Sequence, residues 1–346
     1  MKTQKFGIEI EMTGLTRQKA AEVIAAYFGT TAEYTGEGYS TWTALDTQGR
    51  KWKLVSDGSI HTESRRSNQP AEAVELVSPI CVYDDIPTIQ EIVRKLRGAG
   101  AISNSSCGIH IHVNAAPHNA KTLRNITNIM AAKEDLIYKA LQVDVARERR
   151  FCQKTDMRFL EDLNRQKPQR LEDVQRIWYN GRDGSRQHYH DSRYHCLNLH
   201  SVFSKGTIEF RLFNSDIKHA GKIKAYIQLC LAISHQALIQ KCASRRKTVS
   251  TNEKYTFRVW LLRLGLIGDE FKTARMHLLE HLDGCIAWKD PEQAVRQKER
   301  LRAKQEQERA AAAQQDAMPQ SEPDEVNDED MEQTEDDQSL GFSMSM

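Results

Sequence analysis

Short segments with a two-residue period constrain this chain most, because a strand turns alternate side chains to opposite faces. Seven segments alternate in this way, at 6–12, 41–46, 51–56, 73–77, 109–113, 197–202 and 207–213. In four of them one face is aliphatic and the other is charged or imidazole. Phe6, Ile8, Ile10 and Met12 oppose Gly7, Glu9 and Glu11. Ile109, Ile111 and Val113 oppose His110 and His112. Ile208, Phe210 and Leu212 oppose Glu209 and Arg211, and Val74 and Leu76 oppose Glu75. Strands of a doubly wound parallel sheet are aliphatic throughout. The pattern therefore predicts an α+β fold with a largely antiparallel, curved sheet, a polar active-site face and helices packed on the other face. The helices are expected at 17–28, 86–97, 120–141, 218–240 and 269–282, with Pro87 in a first turn after Asp85. Residues 47–50 read as a hairpin turn between the second and third strands.

A single amphipathic strand with its charged face in water needs no function. Four whose polar faces are dominated by Glu and His do need an explanation, since solvated faces mix in Lys, Thr, Ser and Gln. Glu9 and Glu11 lie two apart on one face and repel each other, and a cation would relieve that repulsion. Together with Glu75, Glu209 and one histidine they make a ligand set for a hard divalent cation. The oxygen-rich composition favours Mg²⁺ or Mn²⁺ over zinc. Arg211 would set a fixed positive charge beside a bound phosphate.

The chain has 346 residues, 39% of them hydrophobic, enough for a sizeable core. No apolar run approaches the ~20 residues that span a bilayer, and the first residues do not read as a signal peptide. Seven cysteines without a Cys-x-x-Cys pair predict reduced thiols and a cytoplasmic setting. Residues 316–346 hold eleven Asp and Glu and no Lys or Arg, which leaves the rest of the chain basic. The expected organisation is a catalytic domain at 1–288, a charged helix at 289–316 and a disordered acidic tail at 317–346. The helix and tail are candidate contacts for a protein partner. Membrane and nucleic acid are not expected partners.

In chain order, Gly7-Ile8-Glu9-Ile10-Glu11, Asp57-Gly58-Ser59, Glu75-Leu76-Val77-Ser78-Pro79, Cys107-Gly108-Ile109-His110-Ile111-His112 and Thr207-Ile208-Glu209-Phe210-Arg211 resemble the carboxylate–amine ligase superfamily of glutamine synthetase and glutamate–cysteine ligase. The likeness is greatest to its amidoligase branch. The resemblance implies a glutamine synthetase-like catalytic fold and an ATP-dependent ligase, which would join a carboxylate to an amine or ammonia through an acyl phosphate. It implies Glu9, Glu11, Glu75, His110 and Glu209 as metal ligands. His112 would lie near the nucleotide phosphates, Arg211 would contact the transferring phosphoryl group, and Asp57 would orient the amine. A peptide, a protein or a cell-wall component would fit as substrate. Glu72 lies three residues from Glu75 and cannot share its strand face.

Other residues are open to two readings. Asp57 also suits a plain turn. Arg193 could pair with a substrate carboxylate or sit as a surface charge. His188, His190, His195 and His200 match no closed zinc spacing, and Cys107 has no orienting third group for a nucleophile. No Gly-x-x-x-x-Gly-Lys-Ser/Thr loop occurs, so a P-loop enzyme is excluded. Two other functions use the same features. One is a metal-dependent hydrolase on the Glu/His face, and the other is a non-enzymatic module whose basic body binds nucleic acid or an acidic protein.

Overall fold

The computed structural model describes residues 1–63 and 72–316. Cα packing divides the chain into one unit at Met1–Ala294 and a second from Val295. The expected acidic tail at 317–346 lies outside the described residues.

Among the described residues, eight strands form one open sheet: β1 (Phe6–Met12), β2 (Ala32–Tyr34), β3 (Trp42–Leu45), β4 (Lys51–Val55), β5 (Val74–Val77), β6 (Gly108–Asn114), β7 (Leu197–Asn198) and β8 (Thr207–Asn214). Their order is β2-β3-β4-β5-β1-β6-β8-β7, and every neighbouring pair is antiparallel. The helices are α1 (Arg17–Phe28), α2 (Ile86–Gly98), α3 (Ala120–Leu141), α4 (Val145–Arg150), α5 (Met157–Gln166), α6 (Leu171–Trp178), α7 (His200–Lys205), α8 (Ala220–Ile239), α9 (Glu253–Arg263), α10 (Lys272–Leu279) and α11 (Pro291–Asp316).

β1 lies at the centre of the sheet because its even-numbered side chains can be buried completely: Phe6, Ile8, Ile10 and Met12 all enter the core. Ile109, Ile111 and Val113 of β6 and Ile208 and Phe210 of β8 continue this apolar face. α1 covers β3 and β4, α8 lies on β6, and α3 touches β8. α8 has no charged residue between Ala225 and Ala237, and it is also packed by α2, α3 and α10. A helix apolar on most sides belongs inside a fold. Local signals set the ends of the helices. Thr16 Oγ1 accepts the Lys19 N–H at the start of α1, and Gly29 ends it at φ 70°. Asn119 and Thr122 form a reciprocal cap on α3.

The hairpin between β3 and β4 turns on Gly49 at φ 73°, and Asp46 accepts the N–H groups of Gln48 and Arg50. Asp85 does not cap α2 through its side chain. Its carboxylate takes two Arg50 hydrogen bonds of 2.8 and 2.9 Å and tethers the helix start to the hairpin.

Three differences from the sequence expectation matter. Strand 197–202 is not formed, since only Leu197 and Asn198 pair and α7 follows at once. Residues 198 and 201 would point to opposite faces of a strand, but a helical turn lets both reach Glu209. Residues 269–282 begin as a 3₁₀ turn, and the α-helix covers only Lys272–Leu279. Helices α4, α5, α6 and α9 and strand β2 were not expected. The segment holding α4 to α6 supplies residues over the polar face of the sheet.

Candidate active site

Strand register brings the acids and imidazoles together. Glu11 stands opposite Glu75, Glu9 opposite His110, and His112 opposite Glu209. Direct cross-strand partners share a face, so six residues from four strands converge. Between Ile109 and Ile111 the β6–β8 register shifts, with Arg211 and Leu212 standing against His110 alone. Such a bulge re-aims side chains, and here it lies at the centre of the cluster.

His110 is the hub. Its Nδ1 lies 3.1 Å from Glu9 Oε2 and 3.9 Å from Glu209 Oε1, and its Nε2 lies 3.7 Å from Glu11 Oε1. His112 places Nε2 3.2 Å from Glu9 Oε1, in ion-pair contact without hydrogen-bond alignment, and its Nδ1 meets Thr207 Oγ1 at 2.9 Å. Glu209 Oε2 accepts from Asn198 Nδ2 at 2.6 Å and Ser201 Oγ at 2.8 Å, and its Oε1 accepts from Arg211 Nη1. Glu11 Oε2 accepts the Gly108 N–H at 2.6 Å.

The charges are unevenly compensated. Burial raises the Glu9 carboxyl, but His112, His110 and Lys205 overcome it and hold the group well below its ordinary value. Glu209 is also lowered, with Arg211 and His112 outweighing burial. Burial pushes Glu11 up to about 7, against Arg147 and with help from the Asp57 charge. Glu75 is raised well above its usual range by burial and by Glu9, Glu11 and Asp57. Burial and Arg211 bring His110 down to about 4, so this ring is neutral and available as a ligand. His112 is raised, because Glu9 and Glu209 outweigh its burial.

This donor set fits a divalent cation. Among the described residues, two groups offer ligand atoms within 4.8 Å of one another, Glu9–His110–Glu209 and Glu11–Glu75–His110. Carboxylates held protonated by burial and by neighbouring acids would ionise against a metal.

A cavity of about 380 Å³ opens over the cluster, lined by Glu9, Glu11, Glu75 and His110. A second cavity of about 560 Å³ lies beside it, and the two share His188, Arg193 and Lys205. Asp57 lines the first, with its Oδ1 accepting 2.7 Å bonds from the Ser59 N–H and Oγ. Arg193 lines both, donates to the His188 carbonyl at 3.1 Å and lies over the rings of Tyr189 and Tyr194. Arg211 lines the first cavity and donates to the Phe151 carbonyl. His112 lines neither.

Residues 2–234 match the family model described as "Putative amidoligase enzyme". The chain belongs to this amidoligase family. Membership points to a ligase-type enzyme, with a carboxylate and an amine as substrates. The matched stretch of the amidoligase contains every residue of the cluster, from Glu9 to Arg211. Comparison with curated proteins found no match.

Several residues of this candidate site escaped the sequence reading. Asn198 and Ser201 hold Glu209, Lys205 lies 3.7 Å from Glu9 Oε1, and Arg147 reaches Glu11 from α4. Arg147 and Lys205 lie outside the alternating segments, and the strand reading of 197–202 put Asn198 and Ser201 on opposite faces. Glu72 is buried ahead of β5 and outside both ligand groups. The loop histidines do not form a metal group. His190 and His200 stack at 5.7 Å, His200 Nδ1 meets Tyr179 Oη, and His195 Nδ1 meets the Lys154 carbonyl. Cys107 is buried and its thiol is pushed up to about 11, which leaves it protonated and unfit as a nucleophile.

Proposed function

We propose that this protein is an ATP-dependent ligase of the glutamine synthetase and glutamate–cysteine ligase superfamily, forming an amide from a carboxylate and an amine through an acyl phosphate. The convergence of four strand glutamates, Glu9, Glu11, Glu75 and Glu209, on His110 carries the reading. Phosphoryl transfer needs positioning and charge neutralisation more than covalent help from the protein, and the donor atoms of this face would hold cations that neutralise charge.

Glu9, Glu11, Glu75, His110 and Glu209 would hold Mg²⁺ or Mn²⁺, which would supply neutralisation of phosphate charge. Arg211, fixed by Glu209 and the Phe151 carbonyl, would face the transferring phosphoryl group. The substrate carboxylate takes that group and ADP leaves. The amine nitrogen then bonds to the acyl carbon, and phosphate departs with the C–O bonding pair. Asp57 lines the same cavity and would orient the amine and take the proton it releases. Arg193 stands on the wall common to both cavities, where it could orient a substrate carboxylate. The basic second cavity, with Arg186, Arg193 and Lys205, suits the nucleotide phosphates.

A peptide, a protein or a cell-wall component remains the proposed acceptor, and α11 the proposed contact for a protein partner. All seven cysteines are free thiols, as a cytoplasmic protein would keep them. Among the described residues, no helix is long and apolar enough to cross a membrane.

The test is calorimetry with a non-hydrolysable ATP analogue, with and without Mg²⁺, on the natural protein and on Glu9→Gln/Glu11→Gln. Metal-dependent binding that the variant loses is the expected result. No binding by the folded natural protein under any metal condition, with nucleotide-independent turnover instead, would replace the ligase by a hydrolase.

A further inference from the structure

Arg147 is among the most deeply buried large side chains of the protein, at 2% exposure. It stands on α4, whose first turn is fixed by Asp144 Oδ1 accepting the N–H groups of Ala146 and Arg147. The Asp144 N–H in turn donates to Asn214 Oδ1 at the end of β8. The Nη1/Nη2 edge of the guanidinium is pressed against Gly108, where an added Cβ would fall 2.6 Å from Cζ and closer still to both Nη atoms. Glycine at the start of β6 is thus what lets an arginine enter the acidic cluster.

That guanidinium has little to hold it. Its Nε has no hydrogen-bond partner, its Nη2 donates to the Arg211 carbonyl at 3.3 Å, and its Nη1 is 4.0 Å from Glu11 Oε2. A buried arginine offers five N–H donors in a rigid fork, and leaving them unmade is costly. Arg211 differs, because its Nε and Nη1 are both committed. Arg147 lines the first cavity beside Glu11 and Asp57. Of these two arginines in that wall, Arg147 has the less committed guanidinium, with a buried Nε that has no partner.

We propose that Arg147 is a substrate-binding residue whose guanidinium fork seats an oxyanion beside Glu11. The oxyanion is either the substrate carboxylate or the phosphoryl group it receives. The assignment of those two sources rests on the ligase reading, whereas the anion seat itself rests on the geometry of α4 and Gly108. A fork recognises two oxygens at once, and an ammonium of equal charge does not.

Arg147→Lys separates this role from that of a mere counter-ion to Glu11. Mn²⁺ affinity, inorganic phosphate affinity and acetate affinity are measured by calorimetry on the natural protein, Arg147→Lys and Gly108→Ala, with a melting curve for each. The non-hydrolysable ATP analogue is titrated into the same samples. The expected result is Mn²⁺ binding kept in Arg147→Lys while one anion binds about ten-fold weaker or worse. Loss of phosphate identifies the phosphoryl group, and loss of acetate the carboxylate. Gly108→Ala displaces the guanidinium and should show the same loss, which covers the case of a lysine variant that does not fold. Anion affinities equal to those of the natural protein, or a parallel loss of Mn²⁺, would overturn the proposal. If the natural protein binds the anions and not the ATP analogue, the ligase reading fails and the anion seat stands.

Discussion

Asn198→Ala probes how Glu209 is aimed. Asn198 touches none of the other acids, yet its Nδ2 donates to Glu209 Oε2 at 2.6 Å and its Oδ1 accepts the His200 N–H at 2.9 Å. With Ser201, it occupies Oε2 and leaves Oε1 facing His110 and His112, each 3.9 Å away. The truncation removes one charge-assisted hydrogen bond, about 1.5–3 kcal/mol, and one neutral bond, about 0.5–1.5 kcal/mol. A total of about 2–4 kcal/mol corresponds to a melting temperature lower by roughly 3–6 °C in a unit of this size. Loss of an outer partner that orients a ligand weakens a metal site by roughly 10–100-fold. Calorimetric titration with Mn²⁺, beside a melting curve, measures both. Ser201→Ala, which loses a single bond to the same oxygen, should fall between the two. A melting temperature lowered as calculated, with Mn²⁺ affinity within about two-fold of the natural protein, would refute the argument. Asn198 would then hold the start of α7 and have no part in aiming Glu209.

Metal affinity should rise with pH through about 7, because Glu11 titrates there, Glu75 is raised well above its usual range, and both must ionise to bind a cation. Without metal the sign reverses for stability. Glu11 keeps its proton in the folded state up to about 7 against an ordinary 4.5. Folding should therefore weaken as pH rises from about 4.5 to 7, by an amount on the order of 3 kcal/mol, and melting curves across that range with and without Mn²⁺ check it. Arg50→Ala should destabilise by about 2–3 kcal/mol, since it removes the charged partner of the buried Asp46 carboxylate and frees Asp85, and urea unfolding measures this. Cys107→Ala should leave turnover within about two-fold, since a thiol pushed up to about 11 supplies no thiolate at neutral pH. Loss of turnover with the fold intact would reopen the nucleophile reading.

The strands that carry the acids were legible because β1, β5, β6 and β8 each bury one face and leave the other polar, which is a local property of alternate residues. That the acids line one surface followed from the same periodicity. Leu197 to Val202 misled the reading because an alternating run is a strand only if another strand takes up its backbone. β7 stops after two residues, where Asn198 accepts the backbone N–H of His200 and α7 begins. Helices α4 to α6 were missed because they are short, of ten residues or fewer, and charged. Short helices depend on tertiary packing more than on their own propensity.

By itself the sequence determined which side chains share a face, since strand pleating is dictated residue by residue. It also determined the chemistry of that face, because the donor atoms are properties of Glu, His and Arg. Only the tertiary structure decided which strands are neighbours, and so which acids meet. Glu11 faces Glu75 and Glu9 faces His110 because β1 lies between β5 and β6. Only the fold, too, could decide that Arg147 lies on Gly108, 39 residues before it in the chain, against the carboxylate of Glu11. Register between distant strands and the landing place of a helix arise from packing the whole core at once, and no local pattern of residues contains them.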